Sequence, residues 1–339
     1  MTDPSNAVPT IPAEKQPIVD HALATAFGTT AIDDMSVPTG GLSSALIFRI
    51  VVQGRPYLLR VIMSADITRH LTRWFGPMQA AAGAGIAPAI RYAGIEDGIL
   101  ITDFIQSQPY PADMALRLAP VLYTLHSLPG FPSMAANMSY MDYVSGSVRK
   151  VQEAKLLPEA ETADLFRRYA DLSAAYPFGD PNPVASHNDL KPQNILFDGD
   201  RVWLVDWEAA FLNHHYSDLA IAANFFVYDE PGEDAYLAAY FGQPPAEVQR
   251  ARFYLMRQVM HMSYLTFFLL MAGRAGARLD LSAPPPDFRD FHRRLIADEV
   301  DVMTPGPELD YARIHLEALQ RNLHAPRFGG SLAAVRAGA

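Results

Sequence analysis

The sequence predicts an α+β fold with two lobes, a small β-rich lobe followed by a larger, mainly helical one. The chain has 339 residues, which is long enough for two hydrophobic cores. Between residues 31 and 104, short β-rich apolar runs alternate with turn residues, as is typical of strands. After residue 104, apolar residues recur at three- and four-residue spacing, which is typical of helices.

The first lobe is expected to span residues 31–104, after a Pro-rich arm and a short helix within residues 1–30. Gln53-Gly54-Arg55-Pro56 separates two strand runs and indicates a hairpin. Gly76-Pro77 is expected to kink or divide the one long helix of this lobe. The predicted elements, in order, are a helix at 15–27, strands at 45–52 and 57–63, a helix at 68–84, and strands at 89–93 and 98–102.

The second lobe is expected to span residues 105–328, and residues 329–339 are expected to form a frayed tail because they are rich in Gly and Ala. Residues 183–207 interrupt the helical pattern with a loop, a strand, a turn at Asp198-Gly199-Asp200 and a second strand. The predicted helices are at 114–128, 141–156, 161–175, 234–241, 250–272, 287–302 and 309–323.

Composition excludes several classes of function. The chain has no cysteine, so disulfides, thiolate metal sites and cysteine nucleophiles are absent. A formal charge of −10 argues against nucleic acid as a partner. The charge also favours a cationic substrate, although solubility alone would explain it. The N-terminus lacks the pattern of a signal peptide, and the most apolar segment, 259–273, is too short to span a bilayer. We therefore predict a cytoplasmic protein without a membrane partner, in an oligomeric state that the sequence leaves open.

One stretch carries residues suited to phosphoryl transfer. Asp189 lies two residues after His187, Asn194 follows five residues later, and Asp206 lies twelve residues beyond Asn194. Phosphoryl transfer needs a carboxylate that accepts the proton of the acceptor hydroxyl, and oxygen ligands for Mg²⁺. The hairpin predicted between Asn194 and Asp206 brings their two oxygen donors together. The spacing therefore predicts an acceptor carboxylate at Asp189 and a shared metal site at the other two residues.

The segment His-Asn-Asp-Leu-Lys-Pro-Gln-Asn, followed by Val-Asp-Trp-Glu, resembles the catalytic loop and metal-binding segment of the aminoglycoside phosphotransferase and choline kinase superfamily. The resemblance covers about residues 31–323, and its specific motifs lie within 186–224. It implies a bilobal, protein-kinase-like fold whose N-lobe has a small antiparallel β-sheet with one or two helices and whose C-lobe is mainly helical. It also implies ATP and Mg²⁺ as cofactors and a small-molecule hydroxyl as the acceptor.

The resemblance assigns roles to single residues. Asp189 would be the catalytic base, and His187 would brace its loop without reacting. Lys191 would lie near the γ-phosphate, or would be a solvated loop lysine. Asn194 and Asp206 would bind Mg²⁺.

The nucleotide site implied by the resemblance lies in the first lobe. Its phosphate-covering loop would be the segment 39–44, which alone would be an ordinary hairpin turn. A strand arginine would hold the α- and β-phosphates, and a short segment after the last strand would hold the adenine edge. The residues concerned are Gly40, Gly41, Ser43, Ser44, Arg60, Asp103, Phe104 and Ile105.

The sequence departs from the family pattern beside Arg60. The family pairs this cation with a Glu on the following helix, but no acidic residue occurs between Asp66 and Glu96. Gln79 is the nearest polar residue at a suitable depth. Either Arg60 is paired elsewhere, or the lobe closes differently when nucleotide binds.

The sequence says less about the identity of the acceptor than about the type of reaction. Glu208 matches the motif of choline and ethanolamine kinases, and it could bind the metal, bind the substrate or form a surface ion pair. Asp218 resembles a buried aspartate that hydrogen-bonds the catalytic loop, or it is an ordinary helix N-cap. Where choline kinases place an acidic residue, this chain has apolar Phe225. Choline, ethanolamine, an aminoglycoside or another metabolite alcohol therefore all stay open.

Two other classes of function compete with the small-molecule kinase. A protein kinase would need a GxGxxGxV loop, a VAIK-type strand, DFG and APE, and the sequence has none of these motifs. A nucleotide-binding pseudokinase is favoured by the missing helix acid but opposed by the intact set of Asp189, Asn194 and Asp206.

Overall fold

Strands β2, Leu46–Val52, and β3, Arg55–Val61, form the hairpin on which the first sheet is built. The computed structural model describes residues 10–38, 45–63, 65–133, 139–176, 183–297 and 299–338. Gln53 and Gly54 alone form the loop of this hairpin, with φ of 52° and 74°, because a two-residue turn with two positive φ angles matches the twist of the strands. Arg55 and Pro56, predicted as turn residues, instead begin β3.

The strands of this sheet are antiparallel and run in the order β1-β2-β3-β5-β4. Alternate residues of β2 and β3, such as Ile50 and Leu59, face a core that α1 covers with Val19 and Leu23. The bounds are α1 Gln16–Phe27, β1 Asp34–Ser36, β2 Leu46–Val52, β3 Arg55–Val61, α2 Ala65–Gly83, β4 Ile90–Gly94 and β5 Ile99–Asp103.

Helix α2 continues through Pro77, although the sequence predicts a kink or break there. Trp74, Met78 and Ala81 are buried at helical spacing, and α2 packs against the short 3-10 turn Trp207–Ala209. Burial of this face outweighs the loss of one backbone N–H donor.

Two compact units divide the chain. The first comprises Met1–Pro111, Leu128–Phe131 and Gln193–Ala210, and the second comprises Ala112–Ser127, Pro132–Pro192 and Phe211–Ala339. The first unit thus includes a hairpin that the sequence analysis placed in the second lobe, β7 Ile195–Phe197 with β8 Val202–Leu204. The predicted turn between these strands is present, and Asp198 accepts the backbone N–H groups of Asp200 and Arg201.

The second unit is mainly helical and is organised around α8, which packs against α4, α6, α10 and α11. A two-stranded pair, β6 with β9, lies in the same unit. None of the helices within the described ranges is long and apolar enough to cross a membrane. The bounds are α3 Met114–His126, α4 Tyr140–Glu153, α5 Glu159–Ala175, β6 Val184–Ser186, β9 Phe211–Asn213, α6 His215–Phe226, α7 Glu230–Phe241, α8 Glu247–Arg274, α9 Phe288–Ile296, α10 Pro307–His324 and α11 Pro326–Ala337.

The C-terminal segment is helical, whereas the sequence predicts a frayed tail. Pro326 starts α11 at a position where its missing N–H costs nothing. Phe328, Leu332 and Val335 then recur at four- and three-residue spacing and are buried. This apolar face outweighs the low helix propensity of the glycines at 329 and 330.

Replacement of Phe328 by alanine is expected to lower the free energy of unfolding by about 3–5 kcal/mol, because Phe328 is almost fully buried. Urea denaturation followed by circular dichroism measures this change. Arg336→Ala, on the exposed side of the same helix, is the control and should have an effect within about 0.5 kcal/mol. Equal stability of the two variants would show that the tail does not pack.

Candidate active site

A buried carboxylate fixes the loop that follows β6. Asp218 lies in the first turn of α6 and is fully buried. Its Oδ2 accepts the backbone N–H of His187 at 2.7 Å, and its Oδ1 accepts that of Asn188 at 2.7 Å. His126 places Nε2 3.3 Å from the same Oδ2. Asp218 therefore hydrogen-bonds the loop backbone, and the N-cap of α6 is His214.

Asn188 turns the chain just before Asp189. Its φ is 64°, a left-handed conformation that asparagine tolerates better than most residues. Its side chain donates to the carbonyl oxygens of Ser186 and Phe211, both at 3.2 Å, and accepts from Asn213 at 2.7 Å. The sequence alone predicts no role for Asn188, Asn213 or His126. The tolerance of asparagine for positive φ is the one local signal that could have indicated Asn188.

The carboxylate of Asp189 lies on this fixed loop and is about one-third exposed. Lys191 contacts it with an Nζ–Oδ2 distance of 2.9 Å, so Lys191 is held by a protein carboxylate. His187 is completely buried, a position suited to bracing the loop. The catalytic roles of these three residues stay predictions.

Three tyrosines from α4, α8 and α10 lie within electrostatic reach of Asp189. Burial raises the pKa of the Tyr140 hydroxyl to about 12, and the nearby charge of Asp189 adds to the rise. Burial likewise raises the pKa of Tyr264 and of Tyr311 well above the ordinary range, with a smaller contribution from Asp189. The surroundings of Asp189 in this unit thus include three tyrosines that are uncharged at neutral pH, beside the charged Lys191. Tyr140 also meets Ser263, with 2.8 Å between their hydroxyl oxygens.

A neutral histidine pair supports two of these tyrosines. His261 and His315 approach with 2.9 Å between their Nδ1 atoms. Burial lowers the pKa of both imidazoles well below the usual value, so one ring donates and the other accepts. The ring of His315 stacks on Tyr264 at 4.9 Å and meets Tyr311 edge-on at 4.5 Å.

The hairpin β7–β8 brings the two predicted metal ligands together. The carbonyl of Asn194 accepts the backbone N–H of Val205 at 3.0 Å, so Asn194 lies beside the residue that precedes Asp206. The Asn194 side chain is nearly buried. Asp206 has φ of 66° and ψ of 73°, a strained conformation for a residue with a Cβ.

The Asp206 carboxylate has an oxygen that suits a cation. Its Oδ1 is buried and has no hydrogen-bond partner among the described residues. Burying such an atom costs free energy unless an ion or donor compensates it. Mg²⁺ prefers carboxylate and amide oxygens, which Asp206 and Asn194 supply. These residues therefore fit a magnesium ion.

Arg60 has two carboxylate neighbours within the same unit. Its Nη1 lies 3.4 Å from Oε1 of Glu208, and its Nη2 lies 4.0 Å from Oδ1 of Asp206. Helix α2 contributes the ring of Trp74, 5.4 Å from the guanidinium carbon. Gln79, the polar residue that the sequence offered as a substitute, is exposed.

Of the other residues predicted to contact nucleotide, the structure describes Asp103, Phe104 and Ile105. Gly40, Gly41, Ser43 and Ser44 lie outside the described residues. The Asp103 carboxylate forms a two-point ion pair with Arg91, at 2.6 and 2.8 Å, at the end of β5. Its backbone N–H donates to the carbonyl of Ala89. Phe104 packs under Arg49, 5.5 Å from the guanidinium carbon, and Ile105 is half-buried. Contact of these residues with nucleotide stays a prediction.

Comparison with known proteins identifies the family. A model described as the Phosphotransferase enzyme family, APH, matches residues 34–254, more than half of the chain and all of the loop and hairpin described above. The chain belongs to the phosphotransferase enzyme family. No curated protein is significantly similar in sequence.

Solved structures of the family share the fold at low sequence identity. A choline/ethanolamine kinase family protein from Mesorhizobium loti is 20% identical, with 96% of this chain and 99% of that chain covered and a TM-score of 0.67. A macrolide 2'-phosphotransferase type I is 17% identical over 85% and 99% of the chains, with a TM-score of 0.56. LicA in complex with AMP is 14% identical over 85% and 100%, with a TM-score of 0.52. The predicted family and the protein-kinase-like fold are confirmed.

The role of Asp218 in stabilising the loop can be tested by substitution. Asp218→Asn would turn an amide N–H₂ toward one of the two backbone donors, so we expect a loss of about 3 kcal/mol in the free energy of unfolding. Asp229→Asn is a matched control, because Asp229 is an exposed N-cap that accepts from Gly232 and asparagine caps equally well. Urea denaturation of both variants measures the difference. A change below about 0.5 kcal/mol at Asp218 would contradict its role.

Proposed function

We propose that this chain is an ATP- and Mg²⁺-dependent kinase that phosphorylates a hydroxyl of a small molecule. Choline, ethanolamine, an aminoglycoside or a similar amino alcohol is the proposed acceptor class. The observation that carries the proposal is the strained Asp206, whose buried Oδ1 has no hydrogen-bond partner in the described part of the chain. Strain and a buried oxygen without a hydrogen-bond donor at one residue are expected where a protein is arranged for a ligand.

The proposed reaction assigns one task to each residue. The acceptor oxygen forms a bond to the γ-phosphorus of ATP, the bond from that phosphorus to the bridging oxygen breaks, and ADP leaves. The Asp189 carboxylate accepts the proton of the acceptor hydroxyl. Lys191, which contacts Asp189 at 2.9 Å, is proposed to lie near the transferred group. Arg60 is proposed to hold the α- and β-phosphates.

Asn194 and Asp206 are proposed to hold the metal. A bound Mg²⁺ would supply a Lewis acid that neutralises charge developing on the phosphate oxygens. The neighbour that contains AMP supports nucleotide binding by this fold. We propose a cytoplasmic location.

The pseudokinase alternative loses its main support. It was favoured by the missing helix acid, but Arg60 has carboxylate neighbours in Asp206 and Glu208. The amino alcohol class is favoured by the aromatic residues near Asp189, since the rings of the half-buried Tyr140 and Tyr264 suit an alkyl ammonium group near an acidic residue.

A panel of hydroxyl compounds tests the proposed function. Choline, ethanolamine, aminoglycosides, a macrolide, sugars and simple amino alcohols are offered with Mg·ATP, and ADP release is measured. At least one amino alcohol should raise ADP release above the rate with water alone, and phosphorus NMR should show a new phosphate ester. Failure of the chain to bind Mg·ATP, or activity that persists fully in EDTA, would contradict the proposal.

A further inference from the structure

Two histidines meet inside the helical unit, where α8 packs against α10. His261 of α8 and His315 of α10 are almost completely buried. Their Nδ1 atoms lie 2.9 Å apart, which is the distance of a hydrogen bond between the two rings. Such a bond exists only while one Nδ1 carries a proton and the other keeps its lone pair. The contact between the helices at this point therefore depends on how many protons the pair carries.

The second nitrogen of His315 indicates where the protons of the pair lie. Its Nε2 is buried and has no hydrogen-bond partner in the described part of the chain. A buried N–H without an acceptor is rarer in proteins than a buried acceptor without a donor. On this basis His315 carries its proton on Nδ1 and donates to Nδ1 of His261, whose own proton is on Nε2.

The groups around the pair oppose a positive charge on it. Burial lowers the pKa of both imidazoles, and Arg257, His292 and Arg321 lower the pKa of His261 further. The titratable and charged side chains that act on the pair, on its ring neighbours or on Arg257 are Tyr140 of α4, Glu233 and Tyr236 of α7, Arg257 and Tyr264 of α8, His292 of α9, Tyr311 and Arg321 of α10, Arg327 of α11 and Asp189 of the loop after β6. Both acids in this set are held by cations of their own.

Protons added to the pair disfavour the folded unit in two steps. The first can enter at Nε2 of His315, where it leaves a buried charge and an N–H without an acceptor. The second must enter at Nδ1 of His261, where two N–H groups would then face each other across 2.9 Å.

The unfolded chain does not resist these protons. Its imidazoles are in water and take up protons near the ordinary pKa of about 6.5. The pKa of both rings is depressed in the folded chain, so below about pH 6.5 the unfolded chain binds two more protons at this pair. Stability is therefore lost as the pH falls below that value, whereas above about pH 7.5 the pair is neutral in both states.

We propose that His261 and His315 form an acid-sensitive switch, which joins α8 to α10 while it is neutral and separates these helices when it takes up two protons. The proposal goes beyond the proposed function and does not depend on it. Tyr264 and Tyr311 contact the ring of His315 and lie within electrostatic reach of Asp189. Separation of the helices would therefore also remove two aromatic neighbours of that carboxylate.

A variant without the pair tests the switch. His261→Leu combined with His315→Phe replaces both partners by apolar side chains, so neither is left as an unpaired polar group. Urea denaturation followed by circular dichroism gives the equilibrium constant of unfolding at pH 6 and at pH 5. Over this interval the constant should rise about 60-fold more for the native chain than for the variant, because each imidazole contributes about eightfold. His21→Gln, at an exposed position on α1, is the control and should keep the native pH dependence.

A measurement on the native chain decides the matter if the double variant does not fold. The nitrogen NMR signals of ¹⁵N-labelled histidine distinguish neutral from protonated rings, and both His261 and His315 should stay neutral in the folded chain from pH 7.5 to pH 5. Protonation of either ring near pH 6.5 in the folded chain would overturn the proposal. A difference in pH dependence below about tenfold between the native chain and the double variant would also overturn it, because at most one histidine would then take up a proton.

Discussion

Turnover with any active acceptor should fall by at least about 10²–10⁴-fold when Asp189 is replaced by alanine. The carboxylate is proposed to take the proton of the acceptor hydroxyl, and no other acid lies on the loop from His187 to Asn194. Affinity for Mg·ATP should change little, because the residues proposed to hold nucleotide are others. The measurements are the initial rate of ADP release with acceptor, and calorimetry with the non-hydrolysable analogue.

The stability of this variant should be close to that of the native chain. Asp189 and Lys191 are both partly exposed, so loss of their contact is worth at most about 1 kcal/mol. Asp171→Ala, at an exposed position on α5, controls for loss of one carboxylate in the same unit and should keep full activity. Transfer by Asp189→Ala at the native rate would remove Asp189 from its proposed role.

The second large effect is expected at Asp206. Asp206→Ala removes the carboxylate whose buried Oδ1 is proposed to meet the metal, and affinity for Mg·ATP should fall by more than about 100-fold. Alanine keeps the left-handed strain of this position, because it also has a Cβ. The variant therefore keeps the backbone strain and removes both the proposed ligand and a charged neighbour of Arg60. Calorimetry with ATP in the presence of Mg²⁺ and in EDTA separates the metal-dependent part.

Asp200→Ala is the matched control for this experiment. Asp200 lies in the exposed turn of the same hairpin, so its loss changes the charge of the segment by the same amount. Its affinity for Mg·ATP should equal that of the native chain. If Asp206→Ala keeps the native dependence on Mg²⁺ concentration, Asp206 is not a metal ligand.

The fold class and the reacting segment could be predicted because both depend on local signals. Apolar alternation in residues 46–52 and helical spacing after residue 104 are properties of neighbouring residues. The spacing from His187 to Asp206 likewise predicts a hairpin, and its turn at Asp198-Gly199-Asp200 is present. Local signals failed where packing opposed them, as at Pro77 inside α2 and in the glycine-rich α11.

The surroundings of the reacting residues could not be predicted in the same way. Tyr140, Tyr264 and Tyr311 lie on three separate helices, and each has the helical spacing of an ordinary core residue. Nothing local to these residues distinguishes the tyrosines near Asp189 from other tyrosines of the helical unit, such as Tyr236.

The sequence by itself determined the chemistry that this protein can offer: one carboxylate, two oxygen donors in fixed register, and a strand arginine. The tertiary structure alone decided that Glu208 lies beside that arginine and that a buried carboxylate, Asp218, holds the loop. The physical reason is that register along a hairpin follows from nearby residues. A pairing between Arg60 and Glu208 depends instead on how distant segments pack, because two charges attract through space whatever their separation in the chain.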